Sequence, residues 1–183
     1  LSDLIDYERM LSGHDPDGDG LVDFVGMVDE YDYSLRWKDV IPGFTKGNES
    51  LTRFDRPLEL IDINAQLCLL REDIARAADM FGDEKLAKRM RKRREKTAIA
   101  INELMWNEDR GCYLDIDAES HVQTGVLSVA AYSVLLAGIA PDDRAQRMLA
   151  LLDDPNVFGS PFPVPSVSMD TEGIDPGHVT YGG

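Results

Sequence analysis

The chain has 183 residues, 43% hydrophobic and 29% charged, a balance that suits a folded domain with a sizeable core. Its formal net charge of -15 argues against non-specific binding to nucleic acid or to an anionic membrane, because such surfaces need an excess of Lys and Arg. The two cysteines, Cys68 and Cys112, form no disulfide framework, reduced thiols favour the cytoplasm over a secreted setting, and no basic segment followed by an apolar run marks a signal peptide.

Residues 3–12 place Leu4, Tyr7, Met10 and Leu11 on one helical face and Gly13 at its stop, which predicts a short amphipathic helix. The stretch from His14 to Asp23 then sets Asp at alternate positions before glycine, like the first half of a calcium loop. Asp15, Asp17 and Asp19 are the candidate ligands for Ca2+. Gly26 stands where such a loop carries its bidentate Glu, so a glycine-capped acidic turn is the alternative reading.

Val28 to Asp39 crowds carboxylates, two tyrosines, an arginine and a tryptophan into a stretch with neither a period of 2 nor of 3.6. This pattern predicts a loop with chemistry in it. Aromatic planes stack on the C–H faces of a sugar, charged groups hydrogen-bond its hydroxyls, and a carboxyl beside aromatic walls has its pKa raised toward that of a general acid. With Pro42-Gly43 and Thr45 to Ser50 as turns, the loop is expected to run from about residue 14 to residue 57.

Pro57 suits a first helical turn, and residues 58–81 read as a helix that is apolar nearly all round up to Leu70, hence buried on more than one side. Asp62 and Asn64 interrupt that surface, where either inter-helix hydrogen bonding or a pocket would satisfy them. Residues 83–106 form a charged helix whose Lys88 to Lys96 run reads as a solvated outer face. Cys112 to Gln123 alternates like a short hairpin, residues 122–139 read as a buried helix too polar for a membrane span, and residues 141–153 as a polar-faced helix. The proline-rich tail from residue 154 is a second long loop.

Apolar helices thus alternate with polar-surfaced ones, and short connections join each pair. This is the pattern of concentric helical hairpins with functional loops at one rim.

Three segments carry a resemblance. Tyr31-Asp32-Tyr33-Ser34-Leu35-Arg36-Trp37 resembles the Trp-Asp-Phe-Ser-Ser-Arg-Trp segment of trehalases, of glycoside hydrolase family 63 and of the mannosylglycerate-hydrolase-like enzymes. Ile61-Asp62-Ile63-Asn64-Ala65 is similar to their Val-Asp-Leu-Asn-Ala segment, which lines the sugar site. Pro165-Ser166-Val167-Ser168-Met169-Asp170 resembles their Pro-Ser-(Val/Leu)-Ser-Arg-Asp loop, with Met169 and, further on, Tyr181 standing where arginines are expected.

The resemblance implies an all-α fold, part of an (α/α)6 toroid of six hairpins with its active site on the rim. It also implies inverting hydrolysis of an α-glucoside or α-mannoside, such as an oligosaccharide, a trehalose-like sugar or a glycerate glycoside. Asp32 takes the role of general acid; Asp29 and Glu30, where those families have Ser-Gly, are the alternative carboxylates. Tyr31, Tyr33 and Trp37 would enclose the sugar, and Arg36, Asp62, Asn64 and Asp170 would bind its hydroxyls. The general base is expected on a Glu downstream of residue 183, so the chain is expected to be one fragment of a larger catalytic domain. Exposed inner helices in a partial toroid would favour self-association. No cofactor is required by this reading, and Ca2+ is an addition to it. The alternative from another class is a non-catalytic helical module that binds carbohydrate or calcium.

Overall fold

A computed structural model describes residues 1–26, 34–43, 53–161 and 164–174. Helices dominate, as expected of an all-α class, and a small three-stranded sheet and a two-stranded ribbon accompany them. No helix among the described residues is long and apolar enough to cross a membrane.

The first helix, α1 (Ser2–Ser12), forms as its periodicity predicts, yet it turns a different face inward. Leu11 is buried while Leu4, Tyr7 and Met10 lie on the surface. The reason is Glu8, 1% exposed and paired with Arg71 at 2.9 Å and with Arg93 at 2.8 Å. Arg71 also donates to Thr97 Oγ1 at 2.6 Å, so one buried network bolts α1 to two other helices. A buried ion pair tolerates no rotation that would separate its partners, and it overrides a weak apolar stripe.

Helices α2 (Ile61–Met80) and α3 (Glu84–Ala100) form the central hairpin. Gly82, at φ 76, ends α2 in the left-handed conformation, and Asp83 caps α3 by accepting from the Leu86 N–H at 3.0 Å. Ile74, Ala75 and Ala78 pack on Leu86, Ala87 and Met90. Burying a side chain of the size of Ile74 contributes about 1.5–3 kcal/mol. The basic run on α3 faces outward except at Arg94, which is half-buried. The helix turns wider over Ile101–Met105, and there Asn102 donates to the carbonyls of Ala98 and Ile139, joining it to the following layer.

Strand β1 (Asp23–Gly26) lies inside the expected loop of 14–57, β2 (Arg53–Glu59) runs past its end into the start of the helix expected from residue 58, and the two form a three-stranded antiparallel sheet with β5 (Ile116–Asp117) in the order β1-β2-β5. Pro57 is in β2, not in the first turn of a helix. The register against β1 shifts between Phe24 and Gly26, and a proline that cannot donate to a ladder is tolerated at such an irregularity. A two-stranded ribbon, β3 (Trp106–Asn107) with β4 (Cys112–Tyr113), supplies the expected hairpin.

The buried helix expected over 122–139 is much shorter. Residues 122–128 are extended, with Gln123 bridged to Ile116 and Ser128 to Val167; a single helical turn at Val129–Tyr132 leads into α4 (Ser133–Leu136). Gln123 explains this: its amide donates to the carbonyl of Trp106 at 3.0 Å and accepts from Asn107 at 2.7 Å, bonds that hold the chain out of a helix. After Gly138, α5 (Asp142–Leu151) packs Met148 into the main core with Val134, Phe158 and Tyr113.

Candidate active site and acidic cluster

The expected catalytic carboxylate Asp32, its neighbours Tyr31 and Tyr33, and the alternatives Asp29 and Glu30 lie outside the described residues. From Ser34 onward the chain is held by specific bonds. Ser34 accepts from the Arg36 N–H at 3.2 Å and starts a helical turn, Leu35–Trp37.

Arg36 is 2% exposed and sits between two buried carboxylates. Its Nε and Nη2 donate to Asp115 Oδ2 and Oδ1, both at 2.7 Å, and its Nη2 and Nη1 donate to Asp62 Oδ1 and Oδ2 at 2.8 and 3.2 Å. Both carboxylates are therefore gripped in bidentate fashion, the geometry for which a planar guanidinium is suited. Burial by itself would lower the Arg36 pKa, but the charges of Asp115 and Asp62 raise it well above the ordinary value. Two carboxylates facing one guanidinium leave an excess negative charge. The first turn of α2 compensates, because the Ile61 N–H donates to Asp115 Oδ1 at 2.8 Å and Asp62 is itself in that turn.

Trp37 is buried with Val40, Ile41, Phe54, Leu58 and Leu60; its ring meets Phe54 at 5.0 Å and Arg36 stacks on it at 4.6 Å. Asn64, also buried, accepts from the Val22 N–H at 2.8 Å and donates to the carbonyls of Val22 and Leu60. Asp170 is exposed, and Arg110 Nη2 donates to both of its oxygens at 3.0 Å. The Leu35–Trp37 turn meets the C-terminal segment: Leu35 packs with Val126, Val167 and Ile174, and the Ser168 N–H donates to the Leu127 carbonyl at 2.8 Å. Arg36 and Asp62 thus belong to one buried ion-paired group with Asp115, Asn64 ties the first turn of α2 to Val22, and Asp170 is held by Arg110.

The acidic loop is the second feature. Its ends are tied by the Asp23 N–H donating to the His14 carbonyl at 2.7 Å, and α3 holds its middle, since Lys96 and Thr97 donate to the carbonyls of Gly18 and Gly20. Asp17 and Asp19 come within 4.8 Å of His121, which arrives from the β5 turn at φ 56. Asp15 lies 3.9 Å from Lys96.

On the sheet, Glu59 of β2 stands directly opposite Asp23 of β1. Like charges facing each other across a strand pair are destabilising. Burial, reinforced by Asp19, Asp23, Asp17 and Asp15, pushes Glu59 up to about 9; burial and Asp17, Asp19 and Asp15 push Asp23 up to about 6. Asp19 is raised as well, by burial first.

Asp115, Asp23, Glu59 and His121 escape sequence reasoning. A signal does exist for two of them: Glu59 lies in Leu58-Glu59-Leu60-Ile61 and Asp115 in Leu114-Asp115-Ile116, single carboxylates inside apolar runs. Nothing local marks His121.

Fold and site together define a helical-hairpin domain whose loops are anchored by buried charge. The family model described as the mannosylglycerate hydrolase MGH1-like glycoside hydrolase domain matches residues 1–179, and the chain belongs to that family. It is 34% identical over 137 residues to a mannosylglycerate hydrolase of Rubrobacter radiotolerans, covering 73% of this chain and 30% of that protein. It is 28% identical over 118 residues to a periplasmic trehalase of Escherichia coli, covering 64% of this chain and 20% of that one. The chain therefore spans under a third of the length of these relatives. Among solved structures, the mannosylglycerate hydrolase of glycoside hydrolase family 63 from Thermus thermophilus in complex with glucose superposes with a TM-score of 0.76 at 18% identity, over 96% of this chain and 48% of that one. This likeness concerns the fold.

Proposed function

We propose that the protein to which this chain belongs is an inverting glycosidase acting on an α-glucoside or α-mannoside, in the class of glycerate glycosides and trehalose-like sugars. Asp32 is its general acid; Tyr31 and Tyr33 enclose the sugar; Trp37, expected to do the same, is 1% exposed and packs on Phe54 and Arg36, so it supports the turn instead; and Arg36, Asp62, Asn64 and Asp170 bind or position the sugar at the rim of a six-hairpin toroid. The observation that carries the reading is the double bidentate grip on Arg36, which fixes the chain just past Asp32 to the first turn of α2. A general acid needs such fixing, because protonating a glycosidic oxygen demands a geometry held to fractions of an ångström. Family membership over residues 1–179 and the names of the relatives support the same chemistry.

In an inverting reaction the acid protonates the leaving oxygen while a second carboxylate, roughly 6.5–9.5 Å away, activates water on the opposite face of the sugar. That base is proposed on a Glu downstream of residue 183. The test is hydrolysis of mannosylglycerate, the matching glucoside and trehalose by the full-length protein. One of these substrates should be cleaved, and Asp32→Asn should lower kcat by about a thousandfold. Failure on all three substrates, or an Asp32→Asn variant as fast as the parent, would overturn the proposal.

A further inference from the structure

We propose that Asp115 is a positioning residue of the glycosidase reaction, acting through Arg36 to hold the turn that follows Asp32 against the start of α2. This role rests on the activity proposed above and adds to it a residue outside all three family-like segments.

Asp115 joins three parts of the fold. It is 3% exposed and comes from the link between β4 and β5, 79 residues along the chain from Arg36 and 54 from Ile61. That link is itself firmly placed. The Leu114 N–H donates to the Met105 carbonyl at 2.9 Å, the Thr124 N–H donates to the Asp115 carbonyl at 2.8 Å, and Ile116 pairs with Glu59 in the sheet. From this base Asp115 Oδ1 accepts from both Arg36 Nη2 and the Ile61 N–H, while Oδ2 accepts from Arg36 Nε. One carboxylate therefore ties the Leu35–Trp37 turn to the N-terminus of α2.

The bonding capacity of the neighbours sorts their roles. Arg36 commits its Nε and both Nη groups to Asp115 and Asp62, and Asn64 commits its amide to Val22 and Leu60, so a sugar hydroxyl would have to displace a protein bond at either. Both hold other groups in place. Asp62 differs, because each of its oxygens takes one bond from Arg36 among the described residues and can accept another. Asp115 lies behind this pair and acts only through it.

Two variants separate geometry from charge. Asp115→Asn leaves Arg36 and Asp62 as a balanced pair, so it is expected to fold, but whichever way its amide turns, its NH2 meets a donor of Arg36 or Ile61. Asp115→Glu keeps the charge and displaces the carboxylate. Each is made in the full-length protein and assayed on mannosylglycerate, the matching glucoside or trehalose, with kcat referred to the folded fraction from near-UV circular dichroism. Both should lower kcat by about 10- to 100-fold and change KM by less than about threefold, because a displaced general acid is felt in the chemical step. Asp115→Asn also removes a negative charge near that acid, which then gives up its proton more readily. The basic limb of its kcat/KM profile should move down by about half a pH unit, while that of Asp115→Glu stays in place.

A residue needed only for folding would leave kcat per folded molecule and both limbs at the parent values, and that result overturns the positioning role alone. No hydrolysis by the parent, or hydrolysis that survives Asp32→Asn, overturns the glycosidase activity and this role with it. If Asp115→Asn fails to fold, Asp115→Glu carries the test through kcat per folded molecule.

Discussion

Replacing Arg36 by methionine removes the guanidinium while keeping a buried side chain of similar length. Among the described residues four hydrogen bonds are lost, two at each of Asp62 and Asp115, and both carboxylates stay buried. Breaking a buried pair from one side costs about 3–5 kcal/mol, because it leaves an uncompensated charge behind. Here two charges are stranded. The Ile61 N–H still supports Asp115, so the upper part of that range is the appropriate expectation and not its double. Such a loss is a large share of the ~5–15 kcal/mol by which domains are stable. The assay is urea unfolding of the parent and of Arg36→Met, followed by tryptophan fluorescence because Trp37 packs beside the clasp. Adding Asp62→Asn to the variant should restore part of the loss, since one stranded charge disappears. An Arg36→Met variant destabilised by less than about 1 kcal/mol would refute the claim that this clasp holds the Leu35–Trp37 turn.

Buried charge and close packing set two further outcomes. Burial would raise the pKa of Glu8, but hydrogen bonds from Arg71 and Ser12 and the charges of Arg71 and Arg93 bring it below the ordinary 4.5. A group depressed in the folded state contributes stability that is complete above 4.5 and is lost as pH falls below it through the folded value. Unfolding midpoints measured down through that window should therefore fall, and Glu8→Gln should flatten the slope. Gly159→Ala should destabilise by about 1–3 kcal/mol in thermal melts, because its Cβ would lie 2.8–2.9 Å from backbone atoms of Asp153 and Leu152, which cannot move aside as a flexible side chain does.

Much of the helical framework is legible in the sequence. The α2–α3 hairpin can be read from a nearly all-round apolar helix, a glycine stop and a charged helix after it, and α5 from its polar face. The strands cannot. β1 and β2 carry Asp23, Arg53, Asp55 and Arg56 without clean alternation, and their pairing depends on partners more than 25 residues away in the chain. The buried face of α1 differs from its apolar stripe because a single Glu8–Arg71 pair outweighs that stripe. At the site, Arg36, Asp62 and Asn64 are recognisable by motif, but their mutual pairing and the role of Asp115 arise only from tertiary contact. The acidic loop announces itself in sequence, whereas Glu59, which stands apart from it in the chain, looks like one polar residue in an apolar run.

The most direct test of the central claim is the anomeric outcome of hydrolysis, followed by proton NMR as the full-length protein cleaves an α-glycoside such as mannosylglycerate. The β-anomer of the released sugar should appear first, and Asp32→Asn should abolish its appearance. First release of the α-anomer, or release unaffected by Asp32→Asn, would contradict it.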